Sequence, residues 1–199
     1  MKYLPTIPIT ARRITAVIAA ASAAGLIAAT AVAGSSGTVL ASDTARTTAA
    51  AVPACTADDL GVWVAVSQSD GAAGSIFFPL QFTNLSRHAC AMRGFAGVSA
   101  INSNGHQLGS PAGWDHTRPV RTVVLAPGAT AHSVLRYADV TVATAPGCHP
   151  VSSMVELRVY PPGQRQATYA AFSAEACSHT GPVYLDVTPV QAGVGTRNG

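Results

Sequence analysis

After Cys55 the apolar residues of this chain are spaced as they are in β-strands. They alternate with polar or small residues or form short runs, and Gly, Pro, Asn and Asp interrupt them at intervals of about eight to fifteen residues. Segments of that length suit strands and are too short for stable amphipathic helices. The pattern therefore predicts an all-β domain.

Turn residues separate the strand-like segments. Asn104 and Gly105 lie between two short apolar stretches and predict a hairpin joining Val98–Ile101 to His106–Leu108. With about 7–9 strands in one domain, we expect a two-sheet β-sandwich, immunoglobulin-like in architecture but not an immunoglobulin domain proper. The predicted strands are Leu60–Val66, Ile76–Asn84, Gly97–Ile101, Val120–Leu125, Thr130–Tyr137, Val155–Tyr160, Thr168–Phe172 and Val183–Val190.

Four cysteines, an even number, all lie in this β-rich part of the chain: Cys55, Cys90, Cys148 and Cys177. Two disulfides are the simplest interpretation in an exported protein, and three connectivities are possible. We predict that neighbours in sequence pair, as Cys55–Cys90 and Cys148–Cys177. Each bridge would then contribute roughly 3–4 kcal/mol by loop-closure entropy.

A metal site is the alternative use of these cysteines, because histidines stand close to three of them in sequence, at His88, His149 and His179. Zinc sites usually present paired ligands in a tight Cys-x2-Cys or His-x3-His spacing, and this chain has no such pair. We therefore expect disulfides and predict no metal and no cofactor.

The N-terminal segment has the composition of a signal peptide. Lys2, Arg12 and Arg13 precede an uncharged apolar stretch, and small residues suited to cleavage follow at Ala33 and Ala41. We predict a signal peptide over residues 1–41, with an uncleaved membrane anchor as the alternative. The predicted organisation is then a flexible Ala- and Thr-rich tether over 42–54, the β-domain over 55–190 and a disordered tail over 191–199.

The charge of the chain after export argues against nucleic acid as a partner. Removing residues 1–41 removes three basic residues, which leaves nine arginines against nine Asp and Glu and therefore a net charge of zero. The remaining arginines are scattered along the sequence, whereas phosphate-backbone binding needs clustered basic residues.

An ordered set of short motifs resembles a known family. The motifs begin with Cys55 and Asp59-Leu60 and continue with Gly71-Ala-Ala-Gly-Ser75, Phe82-Thr-Asn84, Cys90-Ala-Met-Arg-Gly-Phe-Ala-Gly-Val98, Gly109-Ser-Pro-Ala112, Leu125-Ala-Pro-Gly128, Cys148, Val159-Tyr-Pro-Pro162 and Cys177. Over residues 55–190 this order resembles the exported actinobacterial domain of unknown function 4232, although that family often has Pro where Ala96 stands. The resemblance implies export and a β fold, and it implies no activity.

Known catalytic motifs are absent from the sequence. Asp58-Asp59 and Asp115-His116 are the local acidic groupings, and a turn or capping role accounts for both. Trp114, Asp115 and His116 lie in a predicted loop, where binding residues often occur, and are our candidate ligand contacts.

We predict from these features a non-catalytic exported module that binds cell-wall polymer or an envelope protein. It would contact the membrane only if the N-terminal segment stays uncleaved. The alternative is an extracytoplasmic enzyme or metal-handling protein that uses the loop histidines His106, His116 and His132.

Overall fold

A computed structural model describes residues 51–141, 147–148, 151–181 and 183–196. They form thirteen strands and a single 3₁₀ turn at Val66–Gln68. The strands are β1 (Leu60–Val64), β2 (Asp70–Ala72), β3 (Ser75–Asn84), β4 (Cys90–Arg93), β5 (Gly97–Ile101), β6 (Gln107–Leu108), β7 (Gly113–Trp114), β8 (Thr122–Leu125), β9 (Thr130–Ala138), β10 (Val151–Tyr160), β11 (Thr168–Cys177), β12 (Leu185–Val187) and β13 (Gln191–Ala192).

The largest sheet is built on the antiparallel pair β3 and β9, in register from Ser75 opposite Ala138 to Thr83 opposite Thr130. β1 and β2 pair with the other edge of β3, and β12 and β13 pair with the other edge of β9. β7 then joins β12 in parallel.

Two smaller sheets complete the fold. One has four strands in the order β11-β10-β5-β6, and the other consists of the antiparallel pair β4 and β8. The chain just before Cys55 joins the small pair, because Ala54 forms a parallel bridge with Ala91. The described residues are therefore an all-β, sandwich-like arrangement, as predicted.

The core lies between the large sheet and the four-stranded sheet. Leu80 and Phe82 of β3 and Leu157 and Val159 of β10 are fully buried. Phe78 packs edge-on against Phe172 with ring centroids 4.9 Å apart. Aromatic pairs in this geometry add about 0.5–1.5 kcal/mol beyond the area that they bury.

Both predicted disulfides are confirmed. Cys55 is bonded to Cys90, and Cys148 is bonded to Cys177. The first ties the start of the domain to β4, and the second ties the end of β11 to the segment before β10. Disulfides of this kind belong to an oxidising, extracytoplasmic setting.

The hairpin and eight predicted strands recur, but several bounds differ. β10 begins at Val151 rather than Val155, and β11 runs to Cys177 rather than Phe172. A register shift between Met154 and Glu156 sets two residues of β11, Phe172 and Ser173, against Val155, and buried Met154 and Leu157 are three positions apart rather than two. That bulge breaks the period-two pattern from which the strand was predicted.

Other predicted bounds are too wide. The strand predicted to reach Val66 ends at Val64 and gives way to the 3₁₀ turn, and the segment predicted as Val120–Leu125 begins only at Thr122. The predicted strand Val183–Val190 is reduced to Leu185–Val187, since Pro189 has no N–H with which to extend a ladder.

Four short strands escaped prediction: Asp70–Ala72, Cys90–Arg93, Gly113–Trp114 and Gln191–Ala192. The last lies in the predicted disordered tail. Gln191 and Ala192 pair with β9, and Gly195 is buried. The predicted signal peptide and most of the predicted tether fall outside the described residues.

Candidate functional site

An exposed aromatic cluster, made of Phe95, Trp114 and His116, stands at one end of the domain. The rings of Phe95 and Trp114 are stacked, with centroids 5.0 Å apart and an interplanar angle of 8°. His116 packs against the same phenyl ring at 4.7 Å and 60°. Trp114 is 60% exposed even so, which is unusual for so large an apolar side chain.

The backbone around this aromatic cluster is held by the sheets. Trp114 lies opposite buried Val187 in the parallel pair of β7 and β12, and the amide of Asp115 donates to the Val187 carbonyl at 2.9 Å. Gly94, just before Phe95, accepts a hydrogen bond from the amide of Val190 at 2.9 Å. Gly94 adopts a φ of 103°, a conformation that favours glycine, so this turn directs Phe95 towards Trp114.

The structure gives different surroundings to the predicted contact residues. Trp114 and His116 meet through Phe95, which sequence reasoning had not selected. Asp115 instead supports the loop, because its Oδ1 accepts a hydrogen bond from the amide of Thr117 at 2.9 Å. This is the turn role that acidic residues commonly play in loops.

A cleft of about 370 Å³ lies beside the loop that follows the aromatic cluster. Arg93 is adjacent to one of the residues that line this cleft, since it pairs with Thr122 across β4 and β8 and its guanidinium approaches the Thr122 hydroxyl at 3.5 Å. The cleft is lined by Arg118, Arg121, Thr122, Val123, His132, Gln191 and Ala192, so two arginines contribute to a lining of polar and apolar side chains.

Sequence reasoning missed this grouping of arginines. Arg93 is separated from Arg118 by a long stretch of chain, and only the pairing of β4 with β8 brings the two regions together. Within the described ranges the ion pairs are His88 with Asp59 and Arg136 with Asp186, so none of the arginines at the cleft has a carboxylate partner there. The sequence signal was the closely spaced pair Arg118 and Arg121.

The three candidate histidines have separate environments. His106 is exposed beside the Asn104-Gly105 turn, and His116 belongs to the aromatic cluster. His132 is buried, and its Nδ1 is 2.9 Å from the carbonyl oxygen of Gly193. In the part of the chain that the structure describes, no group of three His, Cys, Asp or Glu residues could hold a metal ion.

The acidic pair Asp58 and Asp59 is engaged in hydrogen bonds, one set local and one to a distant part of the chain. Asp59 accepts from the amide and hydroxyl of Thr56 at 2.9 and 2.8 Å, and these bonds hold the pKa of its carboxyl below the ordinary value. Asp58 accepts from the side-chain amide of Gln166 at 2.9 Å. Both therefore stabilise the start of the domain.

These features define a small, disulfide-linked, all-β domain with an exposed aromatic cluster and a cleft that two arginines line. The chain belongs to the family described as Domain of unknown function (DUF4232), whose family model matches residues 55–191. Neither a curated protein nor a solved structure matches it. Among the described residues no helix is long and apolar enough to cross a membrane.

Proposed function

We propose that this chain is an exported, non-catalytic binding module of the cell envelope, and that its aromatic cluster contacts a saccharide ring of a wall polymer. The observation that carries the proposal is the stack of Phe95 on Trp114. Phe95 supports one face of the indole, while 60% of the Trp114 surface remains exposed. An aromatic ring held in this way offers a flat apolar surface that loses little conformational entropy on binding.

Export is part of the proposal. Residues 1–41 have the composition of a signal peptide, and the two disulfides fit an oxidising compartment. A polymer of the envelope is then within reach of the domain.

Sedimentation of the purified full chain with insoluble cell-wall polysaccharide tests the proposal. We expect Trp114→Ala to lower the apparent affinity for the polysaccharide at least tenfold. The unfolding transition should stay unchanged, because the Trp114 side chain is mostly solvated.

Trp63→Ala is the matched control, since Trp63 is also a large exposed aromatic, at 47%, but lies on β1. Its binding should equal that of the unchanged protein. Equal losses from the two variants would indicate nonspecific adsorption, and no loss from Trp114→Ala would overturn the proposed contact.

A further inference from the structure

Unpaired positive charge is concentrated beside the aromatic cluster. Arg93, Arg118 and Arg121 are three of the nine arginines after residue 41, in a segment whose net charge is zero. None is within 4.0 Å of a carboxylate among the residues described. A local surplus of guanidinium groups in an otherwise balanced chain attracts anions.

The fold positions these groups through the pairing of β4 with β8 and through a side chain of β13. Arg121 directly precedes β8, whose first residue, Thr122, faces Arg93 across the strand pair. The side-chain amide of Gln191 bonds the carbonyls of Pro119 and Pro189, at 3.5 and 3.3 Å, and so connects the arginine-bearing loop to β13. A guanidinium is a planar fork of N–H donors that suits phosphate and carboxylate oxygens.

The cleft and the aromatic cluster are close along the chain at two places. Phe95 follows Arg93 by two residues, and His116 precedes Arg118 by two residues. Two residues span at most about 7 Å, which is comparable to the width of one sugar ring. This short spacing along the chain is what places the ring contact and the anion contact within one proposed ligand.

We infer that the cleft lined by Arg118 and Arg121 binds the anionic group, a phosphate or a carboxylate, of an acidic saccharide whose ring packs on Phe95 and Trp114. The inference rests on the proposed function for the ring contact and names the ligand class: an acidic rather than a neutral polymer. The anion contact itself depends only on the arginines.

Titration calorimetry of the full chain at low salt tests this inference with glucose, glucose 6-phosphate, glucuronic acid and inorganic phosphate as probes. We expect at least one acidic sugar to bind tenfold or more tightly than glucose, and this preference to fall as salt screens the charges. The phosphate and carboxylate probes distinguish the two possible anions.

The variant Arg118→Gln/Arg121→Gln should bind the acidic sugar no better than glucose. Arg87→Gln/Arg165→Gln removes the same charge from exposed positions outside the cleft and should keep the preference. Equal losses in both double variants, or equal binding of glucose and the acidic sugars to the unchanged protein, would overturn the inference.

The two proposals fail in different ways. Phosphate binding that needs the arginines, with no added affinity from the sugar ring, would support the anion contact and contradict the ring contact. Capture of wall polysaccharide that needs Trp114 but not the arginines would do the reverse. Tighter, arginine-dependent binding of a single-stranded oligonucleotide than of any acidic sugar would overturn the saccharide as ligand.

Discussion

At the scale of single residues, Tyr184 is the largest side chain that is fully buried. Its hydroxyl donates to the carbonyl of Leu108 at 2.9 Å and so joins the segment before β12 to β6. Gly109, with a φ of 66°, makes room for the ring, because a Cβ there would overlap it. Tyr137 lies 6.4 Å away, edge-on, and donates to the carbonyl of Glu175 at 2.9 Å.

These two tyrosines should make the domain sensitive to alkali. Burial, the largest cause, raises the pKa of Tyr184 and of Tyr137 above 10.0, so the folded state keeps protons that the unfolded state releases. Their contribution to stability is complete below pH 10 and is lost as the pH rises towards the folded pKa values. The free energy of unfolding should fall there by up to about 1.4 kcal/mol per pH unit for each tyrosine.

Urea unfolding between pH 8 and 11 measures that slope. Tyr184→Phe should make the fall in the free energy of unfolding shallower by up to about 1.4 kcal/mol per pH unit, the effect of one proton. It should also lower the free energy of unfolding at pH 7 by about 1–3 kcal/mol, because the Leu108 carbonyl loses its donor. Tyr169→Phe, at a position 53% exposed, is the control and should leave the slope unchanged. Lysine and cysteine side chains add little to the titration in this range, since Lys2 is the only lysine and all four cysteines are bonded. An unchanged slope in Tyr184→Phe would contradict this account.

Residue-level prediction of the candidate site reached only what is local in sequence. Trp114 and His116 were identifiable because they are close in sequence in a segment predicted as a loop, although the structure places Trp114 in β7. Phe95 and Arg93 were not, because the contacts that give them a role come from β7 and β8, which are distant in sequence. Pairing between distant strands decides which side chains share a surface.

At the scale of elements, the C-terminal segment covers part of the large sheet. Gln81 and His132 are register partners on one face, and both are buried although polar. Gln81 donates to the carbonyl of Gly195 at 2.8 Å and accepts from its amide at 3.2 Å, and His132 bonds the carbonyl of Gly193. Gly195 fits because no Cβ intervenes: one would lie 2.7 Å from the His132 ring.

Truncation after Ala192 should therefore destabilise the domain without unfolding it. Three hydrogen bonds are lost, at about 0.5–1.5 kcal/mol each, so the free energy of unfolding should fall by roughly 2–4 kcal/mol. Truncation after Gly195 keeps these bonds and should change it by less than about 0.5 kcal/mol. Urea titrations of the two shortened chains provide the comparison, and equal stabilities would show that the segment contributes nothing.

The strand pattern was predictable wherever one face of a strand is dry and the other wet, as in β8, where buried Val123 and Leu125 alternate with exposed Thr122 and Val124. It failed where that contrast is lost. Gln81 reads as solvent-facing and yet is buried under Gly195, and nothing in the sequence around Gly195 is apolar enough to predict that it packs. The two-residue strands β7 and β13 are too short to carry any periodicity.

At the scale of the whole molecule, each disulfide ties a segment outside the strands to the end of a strand. Cys55–Cys90 anchors the chain entry to the small pair of β4 and β8, which the bridge of Ala54 with Ala91 also joins. Cys148–Cys177 closes the end of the four-stranded sheet, where β10 and β11 begin and finish. Neighbour pairing was predictable from sequence because each bridge closes a short loop, whereas the sheets that the bridges reinforce were not.

Removing either bridge should cost a similar amount of stability. The bonded cysteines are 35 and 29 residues apart, and loop-closure entropy varies only with the logarithm of that separation. We expect losses of roughly 3–4 kcal/mol in Cys55→Ala/Cys90→Ala and in Cys148→Ala/Cys177→Ala, measured by urea unfolding. Because a domain of this size has only about 5–15 kcal/mol in total, the variant lacking both bridges should be largely unfolded at 37 °C. If either double variant kept the full stability of the unchanged protein, strand pairing alone would be enough to hold the chain at that disulfide, and this prediction would be wrong.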